Sequence, residues 1–294
     1  MNLVVFDIGG TSVKYGRYQD SAIDKKGSFP TPKTWEEMKE NLHRVFTELS
    51  DADTKGVAIS SPGAVDTEEG VIKGFSAIPY IHNFKIIDEL EAMFGLPVTI
   101  ENDANCAGLA ESQFGIGKDS KKSIYFILGT GIGGAVCLDG KLYKGSSLYG
   151  GEFGFMIIKD GITLSNLASP VAVAKKYAKE HGLTDFTGKD LFDLADAGNS
   201  DAKAALSEMY DVIAIGIFNC LVSINPDLVG IGGGISARED LVPELDKRIK
   251  ALIEITNARE LDYQLKVCQF RNDANLFGAV SNVFKHKVRQ PYGN

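Results

Sequence analysis

Cysteine is scarce in this chain, and its four cysteines are scattered. They are Cys106, Cys137, Cys220 and Cys268, among 294 residues, and no two of them have the C-x-x-C spacing typical of zinc sites. Each one has mostly apolar neighbours, which indicates reduced thiols in a core rather than disulfides. The sequence therefore predicts no zinc site and a cytoplasmic location.

Long apolar runs are also missing. The longest covers residues 212–224, which is shorter than a bilayer span, and Gly216 and Asn219 interrupt it, so it predicts a core helix. The first residues carry no basic region ahead of an apolar stretch, and a secretory signal is therefore not expected. No membrane partner is predicted.

Positive charge is in deficit. The chain has 31 Lys and Arg against 39 Asp and Glu, a formal net charge of −8. Binding to nucleic acid depends on clustered cations, and the short basic stretch at 118–122 contains Asp119. Nucleic acid is therefore excluded as the main partner.

A hydrophobic content of 44% in 294 residues allows a large core, most naturally in two domains.

Glycine is plentiful, and it is concentrated in two similar turns. Residues 3–14 read LVVFDIGGTSVK, and residues 124–136 read IYFILGTGIGGAV. Each predicts a strand, a glycine tip and a second strand. Glycine can take a positive φ and brings backbone N–H groups close to phosphate oxygens, while Thr11 and Thr130 each add a hydroxyl.

An ordinary tight hairpin would also explain one such turn. Two turns in matching contexts favour a duplicated domain that closes on one nucleotide. Neither turn fits the GxxxxGK[ST] pattern or clearly opens a helix, which argues against P-loop and dinucleotide-binding folds.

The rest of the chain predicts an α/β fold. Apolar periodicity and stop signals predict helices over residues 35–50, 86–94, from 103 to about 114, from 169, 201–223 and 275–285. Strands are predicted over residues 55–60, 97–100, 228–231 and 265–270.

Asn102 and Asp103 stand where a predicted strand ends and a helix begins, which is where ligands collect in open α/β sheets. Asp103 could serve only as a helix N-cap. A carboxylate kept ionised by the helix dipole could instead accept a proton from a substrate hydroxyl, and the Asn102 amide suits a sugar hydroxyl.

The third glycine cluster, residues 230–236, predicts either a flexible loop or a bare backbone surface for adenine or ribose.

Five motifs occur together and in order: DIGGT at 7–11, ENDAN at 101–105, GTGIGG at 129–134, GGEFG at 150–154 and IGGGI at 231–235. In this combination the chain resembles the ROK family of bacterial sugar kinases over essentially its whole length. The resemblance implies the actin-like ATPase fold, built from two RNase H-like domains with a central cleft. It also implies transfer of the ATP γ-phosphate to a hexose hydroxyl, usually O6.

The resemblance places the N-terminal domain at 1–116, joined by a C-terminal helix at 275–294, and the C-terminal domain at 117–274. It implies that Asp103 is the catalytic base, and that Asp7 orients Mg²⁺ through water. The implied sugar-binding residues are Gly63, Asn102, Asp103 and Glu152, with Phe155 and Ser165 at the anomeric end. The implied ATP-binding residues are Asp7, Gly9, Gly10, Thr11, Lys14, Gly129, Thr130, Gly131, Gly133, Gly134, Gly232, Gly233 and Gly234.

Two departures from the family pattern concern the substrate. Phe155 stands where most members have His, and Ser165 stands where a Glu is expected; the family's cysteine-rich zinc loop is also missing. Loss of two polar partners should relax specificity at C1, so we expect a β-glucoside kinase. The alternatives are an N-acetylmannosamine or other amino-sugar kinase and, outside enzymes, a sugar-sensing regulator. A homodimer is the family expectation.

Overall fold

The structure is a computed structural model that describes residues 1–286, without the side chains of 285 and 286. The chain divides into two compact units. Unit 1 comprises Met1–Gln113, Lys144–Tyr149 and the residues from Asn272 onward, and unit 2 comprises Phe114–Tyr143 and Gly150–Arg271. The predicted domain limits at 116 and 274 stay a prediction, and residues 287–294 of the predicted last helix lie outside the described residues.

Unit 1 is built on a five-stranded sheet in the order β3-β2-β1-β4-β7. β1, β2 and β3 are antiparallel neighbours, and β4 and β7 continue the sheet in parallel with β1. A separate pair, β5 and β6, is antiparallel. The strands of unit 1 are β1 (Asn2–Ile8), β2 (Ser12–Gln19), β3 (Ala22–Pro30), β4 (Thr54–Ser61), β5 (Ala64–Asp66), β6 (Val71–Lys73) and β7 (Val98–Asn102).

The helices of unit 1 cover its sheet and begin at clear signals. The side chain of Thr34 caps α1 by accepting a hydrogen bond from the Glu37 backbone N–H, and α2 ends at Gly95, which is left-handed at φ 65°. The helices are α1 (Trp35–Leu49), α2 (Ile86–Phe94), α3 (Asp103–Phe114) and, at the end of the chain, α9 (Ala274–His286). At Gly278 of α9 a Cβ would lie only 1.8 Å from the Cys106 carbonyl oxygen of α3, so this close helix contact requires glycine.

Unit 2 repeats the plan of unit 1. Its sheet has the order β10-β9-β8-β13-β14, with β10, β9 and β8 antiparallel and β13 and β14 parallel to β8. Its strands are β8 (Lys122–Leu128), β9 (Ile132–Leu138), β10 (Lys141–Leu142), β11 (Ile157–Lys159), β12 (Ile162–Thr163), β13 (Leu228–Gly233) and β14 (Gln264–Val267). Its helices are α4 (Leu164–Ala168), α5 (Pro170–His181), α6 (Gly188–Asp196), α7 (Ser200–Ile224) and α8 (Leu241–Thr256).

The two sheets have the same strand order, and the mixed strands and helices of both units confirm the α/β class. This repeat explains the two glycine turns, because each turn joins the two strands of the first hairpin in its sheet. Helix α7 contains the apolar run at 212–224. Within residues 1–286 it is the one helix long and apolar enough to cross a membrane. It packs through Met209, Ile213 and Ile217 into the core of unit 2, which is the environment of a core helix.

Candidate functional site

The first glycine turn, residues 9–11, joins β1 to β2. The Gly9 N–H donates a hydrogen bond to the Ser12 carbonyl (3.1 Å), and Gly10 and Thr11 are exposed at the tip. The expected positive φ is wrong here, because neither glycine is left-handed. Space explains the glycines instead: a Cβ at Gly9 would lie 2.9 Å from the Ser12 carbonyl oxygen, and one at Gly10 would lie 3.0 Å from Ala77.

Asp7 lies at the end of β1 and is 7% exposed. One of its carboxylate oxygens accepts hydrogen bonds from the Ser60 hydroxyl (2.9 Å) and the Asn275 amide (3.0 Å). The other lies 3.9 Å from the Lys14 ammonium. Lys14 is therefore close enough to neutralise the Asp7 carboxylate. The family resemblance gave Lys14 an ATP-binding role and did not predict this ion pair.

Asn102 is the last residue of β7 and directly precedes α3, and its side chain caps the first turn of that helix. Its Oδ1 accepts a hydrogen bond from the Asn105 backbone N–H (3.1 Å), and its Nδ2 donates to the Gly63 carbonyl (3.0 Å). Asn102, and not Asp103, is thus the N-cap of α3. Gly63 is left-handed at φ 100°, with Ile72 and His82 too close for a Cβ, so the β4–β5 corner is held against Asn102.

Because Asn102 caps the helix, the Asp103 carboxylate does not have that role, and it accepts a hydrogen bond from the adjacent Ala104 N–H (2.7 Å). Burial, with a smaller contribution from the nearby Asp7 charge, raises the pKa of Asp103 to about 6, while the Ala104 and Asn102 hydrogen bonds oppose the rise. The carboxylate is still mostly ionised at neutral pH, as expected, but burial weakens the preference for the charged form that the helix N-terminus provides. A pKa near 6 suits a base that works at neutral pH.

The second glycine turn, residues 129–131, joins β8 to β9 in unit 2. The Gly129 N–H donates to the Gly131 carbonyl (2.9 Å), and Thr130 and Gly131 are exposed, as at the first tip. Gly133 and Gly134 lie in strand β9 and not in the turn. A Cβ at Gly134 would lie 2.4 Å from the Phe153 ring, so packing accounts for this glycine.

The remaining predicted substrate residues belong to unit 2. Glu152 is partly buried and precedes a short 3₁₀ turn over Phe153–Phe155. Phe155 is 63% exposed and so offers an apolar surface. The Ser165 Oγ accepts a hydrogen bond from the Ile132 backbone N–H (2.9 Å) and lies 3.4 Å from the Ile132 carbonyl. Ser165 therefore anchors the residue that follows the second glycine turn.

The third glycine cluster is only partly a loop, because β13 continues through Gly232 and Gly233. Gly233 is left-handed at φ 94°, and its Cβ would lie 2.1 Å from the Leu128 carbonyl oxygen. Gly234 has open space around it and lines a cavity of about 490 Å³ together with Gly129. The other lining residues are Leu128, Pro170, Val171, Gly188, Lys189, Phe192, Asp193, Ile235 and Arg238.

Two further residues next to Asn102 escaped the sequence prediction. Glu101 was part of a recognised motif without a role, and it forms an ion pair with Lys144 (3.0 Å) within unit 1. Lys144 lies 43 residues away, and no local pattern marks it. Within residues 1–286, no group of three or more His, Cys, Asp or Glu side chains is arranged to hold a metal ion.

A known protein family shares the motifs that carry these site residues. The model of the ROK family matches residues 3–286. This chain belongs to the ROK family. It is 32% identical to the β-glucoside kinase of Listeria monocytogenes, over 98% of this chain and 99% of that relative.

Solved structures of ROK family proteins are also similar to this chain. A ROK family protein from Streptococcus pneumoniae in complex with sucrose matches with a TM-score of 0.90 and 33% identity, over 99% of this chain and 100% of the other. A ROK family glucokinase from Streptomyces griseus in complex with glucose and AMPPNP matches with a TM-score of 0.81 and 26% identity, over 96% and 99% of the two chains. The fold is the actin-like ATPase fold, and the protein is a carbohydrate kinase, as predicted.

The predicted site residues separate into two groups. Unit 1 contains Asp7, Gly9, Gly10, Thr11, Lys14, Gly63, Asn102 and Asp103. Unit 2 contains Gly129, Thr130, Gly131, Gly133, Gly134, Glu152, Phe155, Ser165, Gly232, Gly233 and Gly234. Each unit thus presents one glycine turn, and unit 1 also presents the acid with the raised pKa.

Proposed function

We propose that this kinase transfers the γ-phosphate of ATP to a hexose hydroxyl, with O6 as the acceptor and Asp103 as the general base. The observation that carries the proposal is the Asp103 carboxylate, which has a pKa of about 6 and follows the Asn102 cap directly. At neutral pH most of this group is ionised, so it can accept the hydroxyl proton. Asn102 and Gly63 orient the sugar beside it.

The phosphates of ATP would be held by backbone N–H groups and threonine hydroxyls of the two glycine turns. Gly129 fits this role, because no atom lies within 4 Å of the position of its Cβ. The cavity of about 490 Å³ at Gly129 and Gly234 has a mixed lining that suits an adenosine. When bound, ATP supplies the phosphoryl group and Mg²⁺ neutralises its charge, and Asp7 is the residue that would orient the metal through water.

We assign the acceptor to the β-glucosides. Phe155, which replaces the usual family histidine, is an exposed aromatic and cannot donate a hydrogen bond to a C1 hydroxyl. An apolar face tolerates a C1 substituent better than a polar partner does. The β-glucoside kinase name of a relative supports this assignment. A structural neighbour is in complex with sucrose, whose glucose is substituted at C1 through an α linkage, and this supports tolerance of a C1 substituent but not the β configuration. The proposal includes a homodimer and a cytoplasmic location. The burial of all four cysteines without a disulfide agrees with the cytoplasmic location only.

A substrate panel tests the proposal. We expect kcat/KM for cellobiose or an aryl β-glucoside to equal or exceed that for glucose, and to exceed those for N-acetylglucosamine and N-acetylmannosamine. Phe155→His should shift the ratio towards glucose by about twofold to tenfold, because a recovered hydrogen bond is worth about 0.5–1.5 kcal/mol. Ile255→His is the matched control, since Ile255 is also an exposed apolar residue of unit 2. Rejection of every C1-substituted sugar by the wild type would refute the β-glucoside assignment.

A further inference from the structure

Glu101 is a buried carboxylate directly before the residues that start α3. It is 2% exposed. Its Oε1 accepts hydrogen bonds from the Asn102 backbone N–H (2.8 Å) and from the Asn105 side-chain amide (3.1 Å). These donors belong to the N-cap residue and to the first turn of α3. Glu101 therefore holds the Asn102 backbone before Asp103 and the Asn105 side chain after it.

The charge of Glu101 has a single cationic neighbour among its described hydrogen-bond and ion-pair contacts. The Lys144 ammonium donates to both Glu101 carboxylate oxygens at 3.0 Å and to the Val65 carbonyl at 2.6 Å. The Lys144 side chain is only 17% exposed. A buried ion pair with such complete hydrogen bonding is costly to break, because either partner alone leaves an uncompensated charge.

The Val65 contact joins this ion pair to the other sugar-site element. Val65 lies in β5, two residues after Gly63, and the Gly63 carbonyl accepts from the Asn102 amide (3.0 Å). Lys144 is thus bonded to both segments of unit 1 that carry proposed sugar residues. Its own segment, Lys144–Tyr149, is a short insertion into unit 1 between two stretches of unit 2.

We propose that Glu101 and Lys144 are positioning residues for phosphoryl transfer: Glu101 orients Asn102 and Asp103 through its two accepted hydrogen bonds, and Lys144 neutralises Glu101 and ties it to β5. This inference rests on the proposed role of Asp103. Displacement of a catalytic group by about 1 Å can lower the rate about 10²-fold, so loss of either contact should lower kcat and leave ATP binding intact.

The test separates charge from geometry. Lys144→Met alone leaves a buried charge and should lower stability strongly. Two double variants remove that charge: Lys144→Met with Glu101→Gln, which keeps an oxygen to accept from Asn102 and Asn105, and Lys144→Met with Glu101→Leu, which does not. Both should fold, because a neutral pair of similar volume is tolerated at a buried ion-pair site.

We expect the Gln variant to keep kcat within about tenfold of the wild type and the Leu variant to lose about 10²-fold. The KM for ATP should stay within about twofold in both. Lys73→Met is the matched control, since Lys73 is a half-exposed lysine of unit 1 paired with Asp66 (2.8 Å), and it should leave kcat unchanged. Equal kcat values for the Gln and Leu variants, or an undiminished kcat for Lys144→Met, would overturn the proposal.

Asp103→Asn, measured alongside, distinguishes the two levels of the argument. If Asp103→Asn is inactive and the Leu variant is fully active, the positioning role fails and the proposed base stands. If Asp103→Asn turns over normally, the proposed base fails, and the positioning role that rests on it fails with it.

Discussion

The Asp103 carboxylate should destabilise the protein that uses it. Its pKa rises from 3.8 to about 6 on folding, so the folded state holds the proton more tightly than the unfolded state does. Stability is then highest when Asp103 is protonated and is lost as the pH rises from about 4 through 6. A difference of about two pKa units corresponds to about 3 kcal/mol, which is an upper value because the residue is only partly buried.

Asp103→Asn removes this penalty and keeps the shape of the side chain. The amide oxygen can still accept from the Ala104 N–H, which is 2.7 Å from the carboxylate. We therefore expect the variant to be inactive and yet more stable than the wild type at pH 7.5, with a gain in Tm of up to roughly 10 °C. The gain should fall below about 1 kcal/mol near pH 4, where the folded-state carboxyl is protonated and the unfolded-state carboxyl, with a pKa of 3.8, is about half protonated.

Thermal unfolding at pH 7.5, 6 and 4 measures this effect. Asp88→Asn is the control, because Asp88 is an exposed acid in the first turn of α2 and loses a favourable interaction with the helix dipole when it is neutralised. Its Tm should not rise at any pH. An Asp103→Asn variant with an unchanged or lower Tm at pH 7.5 would refute the reasoning from burial.

Three further outcomes are expected. The kcat/KM of the wild type should fall about tenfold for each pH unit below the Asp103 pKa of about 6, and a flat profile down to pH 5 would exclude Asp103 as the base. Ser165→Ala should raise the KM for ATP more than the KM for sugar. The reason is that the Ile132 N–H beside the second glycine turn loses its hydrogen-bond acceptor, the Ser165 Oγ at 2.9 Å, at a cost of about 1–3 kcal/mol. Equal changes in both KM values would contradict this. Chelation should abolish activity without unfolding, and Mg²⁺ should restore it; chelator-induced unfolding would indicate a structural metal.

Elements with local signals could be predicted from the sequence. Helix α2 has the predicted bounds, Ile86–Phe94, because an amphipathic pattern ends at Gly95, whose left-handed φ stops the helix. The two hairpins follow from strand-forming residues on either side of a glycine tip. The predicted strand at 228–231 is too short, since β13 runs on to Gly233; neighbouring strands stabilise extended glycines that sequence patterns assign to a loop.

The parts of the candidate site that depend on distant residues could not be predicted. The expected left-handed glycines at the first turn are wrong because their constraint is the space beside Ser12 and Ala77, and the Ala77 contact comes from a distant segment. The family resemblance assigned Ser165 to a sugar-binding position, but its hydroxyl is hydrogen-bonded to Ile132. A serine is too short to reach where a glutamate would, so its contacts depend on local packing.

Three acidic residues of unit 1, Glu101, Asp7 and Asp103, show how different partners produce different chemistry. Glu101 has a lysine and two amide donors, and Asp7 has a hydroxyl, an amide and a lysine at 3.9 Å. Asp103 has only hydrogen bonds from its immediate neighbours and no cation among its described partners. The donors and lysines around Glu101 and Asp7 allow these carboxylates to hold their neighbours in place. Burial without a cationic partner instead raises the proton affinity of Asp103, and this difference is why we propose Asp103, and neither of the other two acids, as the base.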